Sequence, residues 1–318
     1  MKKHRKERNW SQYNQKLKTI ARLEFFISEE AIQGWHYEGK RLRGGKVIYS
    51  DHVIEVSLMM REFYGLPYRQ TQGFMASILT MMNLDLPMPD YTTLSRRAQK
   101  LTVNLRARRS LNLKDPIVVA IDSTGLSVFS KTEWHRLKHG TKSLKGHERW
   151  RKLHVAINVK TGEILSNEYT SSTVNDGEQL PSLLAAVDED LSAVCGDMAY
   201  DTARCRKAIQ ERGGRQLIPP LRRARLSHAN RSLKKHKEFL KERDEAILYI
   251  QHNSINNDTA LARQSWKEKS GYHARSLVET TMWQIKSHCS DRLANKREDT
   301  RATQATIKCK VINLINAA

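Results

Sequence analysis

The stretch DPIVVAIDSTGLSVF carries five consecutive apolar residues, 117–121, and then an aspartate, Asp122. A short, wholly apolar, mostly β-branched run makes a central strand that needs cover on both faces, since neither face can be left to water. The chain must therefore supply helices around a sheet, and its later segments have that character. KLHVAINVKTGEILSNEYTSS alternates about a Lys160-Thr161-Gly162-Glu163 turn and predicts a β-hairpin. PSLLAAVDED reads as a helix, and LSAVCGDMAYD as a second short apolar strand running into Gly196 and Asp197. TARCRKAIQERGG is a helix capped by Asp201 and ended by Gly213-Gly214, and RQLIPPL is a last strand stopped by Pro219-Pro220. The expected class is α/β, a mixed sheet flanked by helices.

Charge narrows the partner. The chain has 318 residues with 55 Lys+Arg against 34 Asp+Glu, a formal net charge of +21. Such an excess suits a polyanion, either nucleic acid or an anionic membrane. No apolar run approaches the roughly 20 residues that cross a bilayer. The basic start MKKHRKERNW lacks the apolar stretch of a signal peptide. Neither secretion nor membrane insertion is expected, and a cytoplasmic, nucleoid-associated location is. Cys195, Cys205, Cys289 and Cys309 form no CxxC pair and no zinc spacing, which reads as four reduced thiols. The cations come in separated blocks. Residues 131–152 hold eight Lys/Arg against two Glu, and residues 222–243 hold nine against two. Separated blocks suit a long track of phosphates.

The N-terminal third is helical. Residues 1–48 read as a basic, partly helical arm containing Trp10, Phe25, Phe26 and Trp35, closed by Gly44-Gly45. DHVIEVSLMMREFYG is a buried helix stopped by Gly65, and YRQTQGFMASILTMM is a second helix. In LPMPDYTTLSRRAQKL two prolines precede Asp90, the expected N-cap of a third helix. Its first turns present Thr92, Thr93, Ser95, Arg96 and Arg97, residue types that reach base edges and phosphates when a helix enters a major groove. Residues 49–110 thus read as a helix-turn-helix-like DNA-binding domain, with a linker at 83–89 longer than the usual turn. A plain three-helix bundle fits the same pattern.

Asp122 and Asp197 each end an apolar strand. A carboxylate there is costly when buried unless it is paired or binds a cation, and either one taken alone also fits a strand-end cap. A third carboxylate stands out in YHARSLVETTMWQIK, where Glu279 is the only acidic residue. At about 100° per residue, Tyr272, Arg275, Glu279 and Lys286 fall within about 60° of one another, beside an apolar stripe of Val278, Met282, Ile285 and Cys289. Three hard oxygen donors with no His or Cys among them suit Mg²⁺ or Mn²⁺. A pair of such ions activates a water or a 3′-hydroxyl and stabilises a leaving oxygen, which is phosphoryl-transfer chemistry. Asp176 and Glu178 read as caps of the helix that follows them, and Asp244 as part of a solvated helix. The tail TRATQATIKCKVINLINAA is weakly patterned.

From about residue 40 to its end the chain resembles the DDE transposases of bacterial insertion sequences, in the insertion-sequence-five group. AIDSTGL resembles the block of the first Asp, GDMAYD that of the second, and GYHARSLVETTMWQIK the third block, Tyr-x2-Arg-x3-Glu-x6-Lys, without a gap. The resemblance implies an RNase H-like catalytic core over residues 111–318, interrupted by a basic helical insertion at about 221–270. It also implies a metal-binding catalytic triad of Asp122, Asp197 and Glu279 holding two Mg²⁺, with Mn²⁺ as a substitute. Tyr272, Arg275 and Lys286 would contact transposon-end DNA. WRKLHVAI resembles a further family block, which puts Trp150, Lys152 and His154 beside the substrate. The implied partners are terminal inverted repeats, target DNA and a second copy of the chain at least. A decayed transposase acting as a sequence-specific DNA-binding regulator, and an RNase H-like nuclease or resolvase, remain as alternative readings.

Overall fold

The computed structural model describes residues 9–20, 22, 25–40, 47–106, 115–128, 149–230, 232–255 and 258–317. Its helices and strands, in chain order, are α1 (Trp10–Ile20), α2 (Glu29–Gln33), α3 (Asp51–Tyr64), α4 (Tyr68–Met81), α5 (Tyr91–Arg97), β1 (Ile117–Val128), β2 (Trp150–Asn158), β3 (Ile164–Ser171), α6 (Asp176–Ala185), β4 (Leu191–Cys195), α7 (Ala203–Glu211), β5 (Arg215–Leu217), α8 (Lys241–His252), α9 (Ala260–Ser270), α10 (Ser276–Cys289), β6 (Arg292–Leu293) and α11 (Glu298–Ala317). They form two compact units, Met1–Asn104 with Arg297–Ala318, and Leu105–Lys296.

The first unit is helical. Ser50 caps α3 by accepting from Val53 N, and Gly65, at φ 65°, ends it in the left-handed conformation that glycine adopts without strain. The aromatic residues of the N-terminal segment need burial, and they find it here. Trp35 is fully buried and donates through Nε1 to Pro87 O at 2.8 Å. The Phe26 ring lies 5.1 Å from that of Phe63 on α3. Aromatic residues of segment 25–40 are therefore part of this unit's core. Glu62 of α3 is buried, where an unpaired carboxylate would be costly. It accepts from Arg61 at 2.5 Å, from Lys308 at 3.0 Å and from Gln304 at 2.9 Å. Two of these partners come from α11, which explains why the tail looks unpatterned. Its inward face carries Gln304, Lys308 and Asn313 beside Ile307, Val311 and Ile312. The tail thus packs against α3 within this unit.

The second unit is built on a sheet of order β3-β2-β1-β4-β5, with β6 paired to β1. The two hairpin pairings, β1 with β2 and β2 with β3, are antiparallel, and β4 runs parallel to β1 and to β5. The sheet is mixed and flanked by helices, as the α/β reading expects. Ile117, Val119 and Ile121 of β1 pack with Leu180, Leu183 and Leu184 of α6 and Ile209 of α7 in one buried cluster. α6 starts at Asp176, ahead of Pro181, which sits inside it. A proline has no N–H to give the carbonyl four residues back. That carbonyl, Gly177 O, accepts from Cys205 Sγ at 3.1 Å instead. Most of the first basic block, 129–148, and the Gly44-Gly45 break lie outside the described residues.

Candidate active site

Strand β1 changes neighbours along its length. Residues 117–120 pair with β4, and residues 127–128 pair with β6. The last β4 contact is Ala120 with Cys195, so β1 and β4 part just before Asp122 and Asp197. The carboxyl end of a parallel strand, here β4, at a point where the sheet changes neighbours is where open α/β sheets hold their ligands.

Asp122 is mostly buried there. Its Oδ1 accepts from Ser123 N at 2.8 Å and its Oδ2 from Arg275 Nη1 at 2.6 Å. The other Arg275 nitrogen, Nη2, donates to Glu279 Oε1 one helical turn later. One guanidinium thus holds two carboxylates from elements far apart in sequence, with the planar fork that suits this role. Burial raises the Asp122 carboxyl above its ordinary range, the Ser123 amide and Arg275 oppose that, and the charges on Asp197 and Glu279 add to it. Those influences put Asp197 and Glu279 each within electrostatic reach of Asp122. Asp197 Oδ1 accepts from Ala199 N at 2.8 Å, capping the short turn 198–200.

The donor set tests what cation fits. All three groups are hard carboxylate oxygens, and the neighbouring Cys195 thiol is buried and pushed up to about 11, which keeps it protonated. That chemistry fits a hard divalent ion, and the Arg275 guanidinium between Asp122 and Glu279 stands in for its positive charge. The side chains as placed serve that arginine: among the described residues no three His, Cys, Asp or Glu groups are gathered closely enough to ligate one ion.

The remaining sequence-derived residues fall into distinct positions. Tyr272 is buried on a 3-10 turn ahead of α10, with the Arg275 guanidinium 5.9 Å from its ring centroid, so the helical stripe begins only at Ser276. Lys286 is exposed on α10, and Trp283 is 66% exposed, which rules out core packing for that ring. Trp150 lies against Gly125 of the AIDSTGL block, where an added Cβ would sit 3.3 Å from its ring.

Lys152 and His154 depart from expectation. Successive residues of a strand point to opposite faces. Asp122 pairs with Val155 and Ser123 with His154, so His154 and Lys152 share the face of Ser123 and not that of Asp122. There they meet Asp176. Its Oδ1 accepts from Ser123 Oγ at 2.9 Å and from Lys152 Nζ at 3.0 Å, and lies 3.6 Å from His154 Nδ1. His154 is fully buried, and its pKa is lowered to about 4 chiefly by burial, so it is neutral at neutral pH. The Lys152 ammonium is directed inward, donating also to Val174 O at 2.9 Å. Asp176 is therefore an anchor of β1 and not the cap its sequence position suggests. Tyr200 was not singled out by the sequence either. It is buried, its hydroxyl meets no hydrogen-bond partner, and burial followed by the charges of Asp176, Asp122 and Asp197 pushes the phenol far up. The Gly-Asp-x-x-Tyr-Asp pattern was the available signal for it.

Asp201 does not cap α7. Thr202 does, accepting from Cys205 N, while Asp201 pairs with Arg206 and Arg243. Asp244 is not solvated: it accepts from Ser227 N at 3.0 Å and from Ser227 Oγ at 2.5 Å. In the helical unit Asp90 caps α5 and accepts from both threonine hydroxyls, Thr92 and Thr93. Arg97 is held by Tyr49 O at 3.1 Å and Asp51 at 2.5 Å, which leaves Arg96 as the exposed cation of that helix. Among the described residues no helix is long and apolar enough to cross a membrane.

Residues 113–314 match a family model described as "Transposase DDE domain", and residues 19–131 match a second model with the same description. Among solved structures, the cryo-EM structure of the piggyBac transposase synaptic complex with hairpin DNA aligns with a TM-score of 0.42 and 10% identity, covering 95% of this chain and 74% of that one.

Proposed function

The chain belongs to the DDE transposase family, and on that premise we propose that Asp122, Asp197 and Glu279 are its catalytic carboxylates, with Arg275 balancing their charge. The observation that carries this reading is the one guanidinium shared by Asp122 and Glu279 at the crevice where β4 leaves β1. Membership implies an enzyme that acts on DNA and depends on a divalent metal. We assign Mg²⁺, with Mn²⁺ as a substitute and two ions at work, held by Asp122, Asp197 and Glu279. When bound, such ions polarise the scissile phosphate and activate the attacking oxygen.

The reaction is hydrolysis at the element's ends followed by strand transfer. Water oxygen joins phosphorus at each end, and the P–O3′ bond breaks to leave a 3′-hydroxyl. That hydroxyl attacks a phosphorus of target DNA and displaces the 3′-oxygen there. Arg275 presents two donors at a spacing that fits phosphate oxygens as well as carboxylates. Tyr272 backs Arg275, and Lys286, about two turns beyond Glu279, adds a mobile point charge for the DNA backbone. Lys152 and His154 act at one remove, with Asp176, by holding β1. Trp150 stays at the surface next to them. On α5, Arg96 is the residue that reaches DNA, while Thr92, Thr93 and Arg97 shape the helix that carries it. Joining two ends calls for at least a dimer on DNA.

The test is Mg²⁺-dependent cleavage of the DNA flanking the gene, wild type beside Asp122→Asn. Cuts at one flanking boundary that the variant loses support the transposase reading. Tight binding without cuts in either protein, in Mg²⁺ or Mn²⁺, would point to a DNA-binding regulator instead.

A further inference from the structure

One buried carboxylate closes both ends of the second basic block. Asp201 Oδ2 accepts from Leu221 N at 2.8 Å, at the start of the block, and Asp201 Oδ1 accepts from Arg243 Nε at 3.0 Å, at its end. Arg206 braces the same carboxylate at 2.9 Å and reaches on to Gln216 Oε1 and Ile218 O, both at 3.0 Å. Arg243 Nη1 returns to Arg225 O at 2.9 Å, and Arg263 Nη1 holds Pro220 O at 2.8 Å. Both ends of the block are therefore tied to Asp201, the residue that closes the turn that Asp197 begins.

Its outer side carries an excess of cations. Arg222, Arg223, Lys234, Lys235, Lys237 and Lys241 are all exposed, and none of the six forms a salt bridge among the described residues. The four lysines line one groove, with Glu238, Asp244 and Glu245 on its wall. Asp244 is already engaged by Ser227. Holding so many like charges together costs free energy that a polyanion would offset. The chemistry of the surface also says which polyanion. Lysines are flexible point charges that meet phosphates without reading bases. Among described residues 222–241 the one Phe, Tyr or Trp is Phe239, which lies under the Lys207 ammonium 5.4 Å from its centroid. A single-strand surface would offer open rings for stacking.

We propose that this loop binds double-stranded target DNA by its phosphates, without regard to sequence, and so lays the target duplex beside the Asp197 turn. The proposal rests on the transposase reading for the word target, while binding of duplex DNA by the loop stands apart from catalysis.

The experiment compares the full-length protein with Lys234→Gln/Lys235→Gln/Lys237→Gln, and separately with Arg222→Gln/Arg223→Gln. Thermal unfolding first establishes that each variant folds. Affinity for a duplex of unrelated sequence is then measured across salt concentrations, beside affinity for the gene's flanking DNA. The expected result is that the slope of log affinity against log salt on unrelated duplex falls by about 3 in the triple variant and about 2 in the double one. Strand transfer into an unrelated plasmid falls with it, while cleavage of the flanking DNA persists. An unchanged slope in both variants overturns the proposal. Loss confined to the flanking DNA overturns it too, in favour of an end-binding surface. Wild-type protein that neither cuts nor transfers counts against the transposase reading alone, because the salt slope needs no chemistry.

Discussion

Arg275 Nη1 donates to Asp122 Oδ2 at 2.6 Å, joining residues 153 positions apart, while its Nη2 holds Glu279. A single cation therefore balances two of the three carboxylates in the crevice. Removing it leaves a mostly buried Asp122 without its countercharge, next to Asp197 and Glu279. Arg275→Ala should lower the single-turnover cleavage rate by about 100-fold or more, the scale seen when one stabilising donor at a reacting centre is lost. Arg275→Lys should recover only part of it, since an ammonium has no planar fork. Equal rates for Arg275→Lys and wild type would remove the bidentate geometry from the account.

Glu279→Gln keeps the shape of the side chain and its acceptor oxygen but removes the charge. Cleavage should vanish while affinity for DNA stays within about a factor of 2, because α10 keeps its cationic neighbours. Retained cleavage would take Glu279 out of the catalytic set.

Asp176→Ala strips Ser123 and Lys152 of a shared acceptor inside the structure. Lys152 keeps Val174 O but loses its countercharge, and a partly buried polar group deprived of a partner costs about 1–3 kcal/mol. The urea midpoint should fall accordingly, and cleavage should fall with it through the altered setting of β1. Asp176→Asn, which retains an acceptor, should lose less of both. Full activity and stability in Asp176→Ala would mean that β1 needs no such anchor.

His154 makes stability depend on pH in a definite direction. Its folded pKa is lowered to about 4 by burial, below the ordinary value of 6.5. The unfolded chain therefore takes up the proton first as the pH falls. Its contribution is complete above pH about 6.5 and is lost progressively down to about pH 4, a change of roughly 3 kcal/mol. Urea midpoints at neutral and mildly acidic pH should diverge more in wild type than in His154→Gln. Parallel behaviour of the two proteins would assign the acid sensitivity elsewhere.

Asp201→Asn leaves buried Arg206 without its ion-pair partner and Arg243 with Asp244 alone. Breaking a buried ion pair on one side typically costs about 3–5 kcal/mol. Limited proteolysis should then cut first between residues 221 and 243, since both ends of that loop depend on Asp201. An intact loop under conditions that digest the rest would contradict this dependence.

Local pattern made much of this fold legible. The Asp90 cap, the Gly65 stop and the hairpin about Gly162 are short-range features, set by a few neighbouring side chains and by what glycine and proline permit, whereas β1 runs on past Asp122 to Val128 because it gains a new neighbour, β6. The same holds for α10, whose buried residues Val278, Met282, Ile285 and Cys289 follow from spacing alone. The assignments that changed were those of polar residues. Asp176 and Asp201 stand near helix starts, where a cap is the local reading, and Asp244 on a helix read as solvated, yet each is claimed by a partner at least 17 residues away. The tail was obscure for the same reason: α11 turns Lys308 and Gln304 inward to meet Glu62.

The sequence by itself determined an α/β chain with a strongly cationic surface and three carboxylate-bearing segments, because strand and helix periodicity and net charge are sums over neighbours. Only the tertiary structure decided which face of β1 each side chain serves and which arginine answers which carboxylate. A one-residue step along a strand reverses a side chain's direction, and a buried charge is tolerable only where folding brings it an opposite one.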